Sequence, residues 1–446
     1  MKKIGLALIA LVVIIGIYYT TLGSTQIVDE MKKEVNRELT EAKKSGFVIE
    51  DREIKENRER FIIDFNDTKK ITNYLKEESR GISESDIELL KGLKVAVEIE
   101  YMPTTKDAIA LDIYPVTLPE FIYLGLKGED KKIEEVNKMV KDRLLLVHVN
   151  INKLLSGFDG YMKDIDMSDD DGNFKMKGFV FDGEIEDENI KNLNQKIQEM
   201  SYEVPSQLKM GLSNLKVFVS NPIDRNYNNN SNYTLESLKI KSENNESFSL
   251  AINNISGSSQ DTQKGKLANG IADLNIVSID YDANGDKTLL NNIKLDMKMN
   301  NIDMDAILEL EEMLSNSAEN NFSIEQMIPL IKKIVSDDIS LDIPNISLDK
   351  ITQNGKTFDG FKLQISTKVD KKFDWKLAES DPLAMTNIFD AKMNIEASNE
   401  LVDIISSNPQ AMMMMMVMQP VEKSGKKHYD IEFTKGSLKI NGKPFM

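Results

Sequence analysis

The sequence predicts an α+β protein with an N-terminal transmembrane helix, followed by large antiparallel twisted β-sheets with a few packed helices. Three observations predict it. An unbroken apolar run fills residues 4–19. Period-two alternation of apolar and polar residues dominates the rest of the chain. Short capped, amphipathic segments interrupt that alternation, as helices laid on sheets do.

The chain opens MKKIGLALIALVVIIGIYYTTLGS. Ile4, Leu6, Leu8, Ile9, Leu11, Val12, Val13, Ile14, Ile15 and Ile17 form a candidate membrane anchor. At a helical rise of about 1.5 Å per residue the run spans about 24 Å. That is slightly short of a hydrocarbon core of about 30 Å. Thr20, Thr21 and Leu22 extend it, and Tyr18 and Tyr19 suit the far interface. Lys2 and Lys3 hold the start in the cytoplasm, which predicts a single-pass inner-membrane protein with its bulk in the periplasm. The alternative is a signal peptide cut near Thr21-Leu22-Gly23, which delivers the chain to the same compartment.

Three domains are expected: an anchor over 1–23, a β-rich domain over 24–210 that begins with an amphipathic helix, and a β-rich domain over 211–446. The boundary falls between Pro205 and Leu215. Ser24 is placed to cap a helix over Gln26 to Ser45, whose stripe is Ile27, Met31, Val35, Leu39 and Ala42, with Gly46 as a left-handed stop. KKIEEVNKMVKDRLL and ENIKNLNQKIQEM also read as helices. Asp303 is placed to cap a helix carrying Ile307, Leu310 and Leu314, and Ser323 opens a capping box before Pro329.

Strands are read from alternation. Val95, Val97, Ile99 and Tyr101 share one face, opposite Ala96, Glu98 and Glu100. Ile293, Leu295, Met297 and Met299 do the same, as do Ile339, Leu341 and Ile343, then Phe361, Leu363 and Ile365, then Phe389, Ala391, Met393 and Ile395. DRNYNNNSNY and SGSSQDTQKGKLANG break the pattern as polar loops or hairpin ends.

Composition narrows the chemistry. The 446 residues carry a net charge of −17, which opposes nucleic-acid phosphates, and no basic stripe with aromatics stands against it. Cysteine is absent, so thiolate catalysis, disulfides and iron–sulfur centres are excluded. His148 and His428 each sit among apolar residues of an expected strand. No Walker loop, G-x-S-x-G or H-E-x-x-H occurs, so no catalytic residue is assigned, no enzyme activity is inferred and no cofactor is expected.

Three motifs stand out. DYDANGD places Asp280, Asp282, Asn284 and Asp286 as a candidate cation site, because it opens like a calcium loop. Lys287 and Asn291 then break that pattern, and Asn284-Gly285 is the preferred pair for a tight hairpin turn. MSDDDGN, from Met167 to Asn173, is a second acidic cluster before a strand. AMMMMMVMQP carries Met412, Met413, Met415, Met416 and Met418, the candidate wall of an apolar ligand groove, with a buried core helix as the alternative.

RFIIDF, NIDMDAILELEEM, FDGFKLQIS, FDAKMNIEASNELVDIISS and the closing KKHYDIEFTKGSLKINGKPFM together resemble the YdgA-like family of bacterial inner-membrane-anchored envelope proteins of unknown function. The resemblance implies an envelope address and a β-rich fold, and it supplies no catalytic residue. The expected role is therefore binding of lipid or another envelope component on apolar sheet faces, with the inner membrane as a partner. An interaction scaffold with a closed core and a protein partner is the alternative.

Overall fold

The structure is a computed structural model that describes residues 28–78, 87–169, 172–186, 189–222, 228–242, 247–315, 329–330, 332–334, 338–369, 389–407 and 418–445. The expected anchor over Ile4 to Ile17, the Ser24 cap, the capping box at Ser323 and the methionines Met412, Met413, Met415 and Met416 lie outside the described residues. The α+β expectation is corrected: the chain is mostly antiparallel β-sheet, 63% strand and 19% helix. Among the described residues, which begin at Val28, no helix is long and apolar enough to cross a membrane.

Two compact units divide the chain, one within residues up to 200 plus 216–225, the other over 201–215 and 226–446. The first begins with helix α1 (Val28–Lys44). Its stripe Met31, Val35, Leu39 and Ala42 is buried, and Gly46 ends it at φ +99°. Strands β1 (Val48–Ile54), β2 (Arg58–Asp64), β3 (Lys94–Tyr101), β4 (Asp107–Thr117), β5 (Val147–Asn152) and β6 (Gly157–Met162) follow as neighbours in order. Helices α2 (Thr68–Glu78), α3 (Glu120–Gly125) and α4 (Asp130–Lys141) lie in the connections. β7 (Ile165–Asp169) and β8 (Gly172–Lys177) form a hairpin, so the described ends of MSDDDGN flank its turn. β9 (Phe179–Glu186) then pairs with β6, and β10 (Asn189–Val204) with β9.

This first unit has a sealed core. The α1 stripe packs with Phe61, Ile63, Val95, Val97, Ile99, Ile109, Leu111, Ile113, Val149 and Ile151 in one cluster of buried residues. Alternation explains it: one face of β3 to β5 is apolar throughout, and a helix covers it. On the other face Ile62, Ala96 and Tyr114 make a smaller buried group with Val116 and Leu146.

β10 corrects the helix expected over 188–200. Its apolar residues Ile190, Leu193, Ile197 and Met200 have helix-like spacing. A bulge between Ile190 and Asn192 adds one residue to the strand, so Ile190 and Leu193 fall on one face three positions apart. Four positions are two pleats, so Ile197 joins them. Bulged strands thus imitate a helical stripe.

The second unit takes in the first part of β11 (Leu208–Ser220), then β12 (Asn229–Ser242), β13 (Phe248–Lys264), β14 (Leu267–Ala283) and β15 (Asp286–Asp303), of which β12 to β15 pair as successive hairpins. Helix α5 (Met304–Ser315) starts where Asp303 Oδ1 accepts from the Ala306 amide at 3.1 Å, the predicted cap. β16 (Ser340–Gln353), β17 (Lys356–Val369) and β18 (Phe389–Ser398) extend the ladder. Helix α6 (Asn399–Ser406) is capped by Ser398, whose side chain accepts from the Leu401 amide. β19 (Val421–Lys423), β20 (Lys426–Thr434), β21 (Ser437–Ile440) and β22 (Lys443–Pro444) close the chain. β20 pairs with β18 on one side and with both β19 and β21 on the other. The stretch from Ser256 to Gly270 is the expected hairpin end, with β13 and β14 meeting at a turn at Gly265 and Lys266, while its flanks and the residues from Asn229 on are paired backbone and not loop. Their small polar side chains hide the alternation that marks a strand.

Candidate functional site

The two units cover their apolar faces differently. In the first, Leu111 is 1% exposed and Val97 is fully buried. In the second, the inward residues Leu235, Ile255, Ile276, Ile293, Leu295, Met297, Phe361, Leu363, Ile365 and Ile395 are each only partly buried. They nevertheless form continuous rows. Register runs Leu235, Ile255, Ile276, Ile293, Leu348, Phe361, Ala397 across seven strands. A second row runs Leu274, Leu295, Ile346, Leu363, Ile395, Tyr429. The opposite side of the same strands carries Lys294, Lys298, Lys362, Lys392 and Glu432.

A crease crosses this sheet at one level. Leu238, Ile252, Ile279, Leu290, Ile351 and Phe358 are aligned neighbours in a further row. Each lies three positions, not two, from its own strand's member of the Leu235 row. The intervening pairs include Asn254 (φ +52°) and Asn292 (φ +55°), left-handed residues that reset the pleat. The jump keeps apolar side chains on one face across the bend, where strict alternation would have turned them outward. Among the described residues α6 packs over β17, β18 and β20, burying Val402. Tyr429, 6% exposed, holds its hydroxyl there with no hydrogen-bond partner, and burial pushes that phenol up.

The far end of the face is polar. Along β13 the residues Gly257, Ser259, Asp261 and Gln263 follow Ile255 at intervals of two and stay at least partly buried. Ser259 and Ser231 hydroxyls are 2.8 Å apart. Tyr233 lies over Gly257, where a Cβ would meet its ring. Taking SGSSQDTQKGKLANG as a polar loop or hairpin end did not single out these residues. The signal was the spacing of two, carried by small and polar side chains.

The residues predicted from sequence fare variously. Asp280, Asp282, Asn284 and Asp286 fall at the β14–β15 hairpin, where Ala283 faces Asp286 across a two-residue turn. Asn284 (φ +54°) and Gly285 (φ +93°) give the paired positive angles of a type I′ turn. Asp282 Oδ1 accepts from the Gly285 amide at 3.0 Å, and Asp280 is exposed on the strand. Asn284 and Gly285 therefore form the turn, with Asp282 holding it and Asp280 out on the strand. Among the described residues no three of His, Asp and Glu are grouped to hold a metal. Met418 is partly buried just before β19.

Charged clusters in the first unit satisfy themselves. Glu59, whose side chain is fully buried, meets Arg52 Nε at 2.7 Å and accepts from the Tyr101 hydroxyl at 3.1 Å. Burial, reinforced by Glu59, drives that phenol far above its ordinary range. Glu98 accepts from Tyr114 at 2.5 Å and Arg143 at 2.9 Å, with Arg143 stacked 4.0 Å over the Tyr114 ring. His148 lies 2.7 Å from Asp112 and stacks on Tyr161. An open groove of about 390 Å³ between α1 and β1 is lined by Asp29, Asn36 and Ile54 besides Lys32, Lys33, Arg37 and Arg52. Its charge is largely taken up: Lys32 donates to two backbone carbonyls, Arg37 bridges Glu34 and Glu38, and Arg52 holds Glu59. No family model, curated protein or solved structure matches this chain.

Proposed function

We propose that the chain is a membrane-tethered envelope protein that holds lipid acyl chains against the apolar sheet face of its second unit. The observation that carries this reading is the continuous row from Leu235 to Ala397, aligned over seven strands yet only partly covered for most of its length. Folding without a ligand leaves part of that surface wet, and each methylene laid on it contributes about 0.8 kcal/mol. A contiguous apolar face that the chain covers only in part is suited to meet something apolar. The apolar run Ile4–Ile17 serves as the tether and sets the chain beside a lipid source. The resemblance to YdgA-like envelope proteins points to the same compartment.

The test is photolabelling of the full chain in phosphatidylcholine vesicles doped with a diazirine-acyl phosphatidylcholine. Labelled peptides from 267–303 and 340–369 are expected besides those of the leader. Labels confined to the leader would mean that protein closes the face, and would favour the interaction scaffold.

A further inference from the structure

We propose that the lipid taken up on this face carries a primary-ammonium headgroup, seated at the polar end of β13 between Asp261 and Gln263. The inference rests on the acyl-binding reading above and adds a headgroup class to it.

The position of Asp261 carries the argument. It sits in register between Asn229 on β12 and Gly270 on β14, and Gly270 in turn faces Met299 on β15. A Cβ built on Gly270 would lie 2.8 Å from Asp261 Oδ1 and 4.0 Å from the Met299 methyl. The carboxylate is therefore laid over the glycine and along the apolar face, in space that any larger residue at 270 would fill. Among the described residues no hydrogen bond or ion pair reaches it, and desolvation by burial pushes its carboxyl above the ordinary range. Lys266, at the neighbouring turn, is held by Asp303 at 2.9 Å.

Gln263 supplies the second observation. It follows Asp261 by two residues on the same strand, and both are partly buried while Thr262 between them is exposed. Its Nε2 donates to the Gly265 carbonyl at 2.7 Å, while its Oε1 is buried without a donor. Two acceptors lacking donors thus stand about 7 Å apart at the end of an apolar face. Buried acceptors without donors are costly, and a carboxylate the more so. The ligand that relieves both presents several N–H donors, positive charge and an apolar tail. An ammonium headgroup has three donors and no acceptor, and its bond to a carboxylate is charge-assisted. An anionic headgroup meets repulsion there.

The experiment compares two photoreactive lipids with the same diazirine acyl chain, one with an ethanolamine and one with a glycerol headgroup, on the full chain in phosphatidylcholine vesicles. Labelling of peptides from 267–303 by the ethanolamine lipid should exceed that by the glycerol lipid about tenfold, the effect of one charge-assisted contact. Asp261→Asn should abolish the preference while leaving glycerol-lipid labelling undiminished, and Asp261→Glu should restore part of it. Gly270→Ala, which pushes the carboxylate off the face, should weaken it. Equal labelling of the wild-type face by both lipids would overturn the headgroup assignment and leave acyl binding standing. No labelling of the face by either would overturn both.

Discussion

Truncating one leucine in each unit separates an open apolar face from a closed core. Leu111 is 1% exposed and lies between Ile99 and Val149. Leu111→Ala removes three carbons, worth about 2.4 kcal/mol at about 0.8 per methylene, and leaves a cavity that the sealed cluster fills poorly. The expected loss is about 3–5 kcal/mol. Leu295 lies between Leu274 and Ile346 in an equally apolar row but is only partly buried. With up to about a third of its surface wet, Leu295→Ala loses about 1.6 kcal/mol of transfer free energy, and no sealed cavity forms because solvent reaches the site. Two units need not unfold together, so one global transition does not report both. Hydrogen exchange read by mass spectrometry along a urea series resolves peptides 107–117 from peptides 286–303 and assigns each loss to its own unit. A loss of about 3 kcal/mol or more at Leu295, equal to that at Leu111, would mean that the face is a closed core and would refute the acyl-binding reading at its base.

Four further outcomes are expected. Glu59→Ala strands the Arg52 guanidinium and the Tyr101 hydroxyl and should cost about 3–5 kcal/mol in the first unit, read by the same exchange experiment. Asp303 is raised by burial, but the Lys266 ammonium and the Ala306 amide outweigh this and hold its carboxyl below the ordinary range. It therefore stabilises the fold above its unfolded pKa and loses that contribution as pH falls through its lower folded value, so Asp303→Asn should destabilise near neutrality and converge with wild type in acid. Asp261 has the opposite sign: its folded carboxyl is raised, so Asp261→Asn should stabilise the lipid-free chain above the ordinary carboxylate range, with the gain fading at lower pH in a melting series. Replacing Val12 and Ile15 by Asp should release the chain from the membrane pellet on carbonate washing, because charge at the centre of an apolar run opposes insertion.

Where the sequence spoke through strict alternation it was legible. β3 buries Val95, Val97, Ile99 and Tyr101, and α1 buries the stripe Met31 to Ala42, because a single period with a single covered face leaves no other arrangement. The cap at Asp303 and the turn at Asn284-Gly285 were legible for the same local reason: a short polar side chain finds the nearest unpaired amide, and two left-handed residues make one turn. Reading failed where tertiary pairing resets the period. Residues 188–200 have helical spacing yet form a bulged strand, since the extra residue at the bulge makes a step of three fall on one face. The crease through Asn254 and Asn292 uses the same step of three in six adjacent strands.

The sequence by itself determined the apolar run over residues 4–19, the acidic net charge, the exclusion of thiol chemistry and the antiparallel, β-rich character of the chain. These depend only on composition and on contacts between near neighbours. Only the tertiary structure decided which apolar faces are sealed, because cover comes from elements distant in sequence: α1 closes the first sheet, while the second stays partly bare. It alone brought Asp261 over Gly270 beside Met299, since cross-strand register joins residues that no sequence window contains.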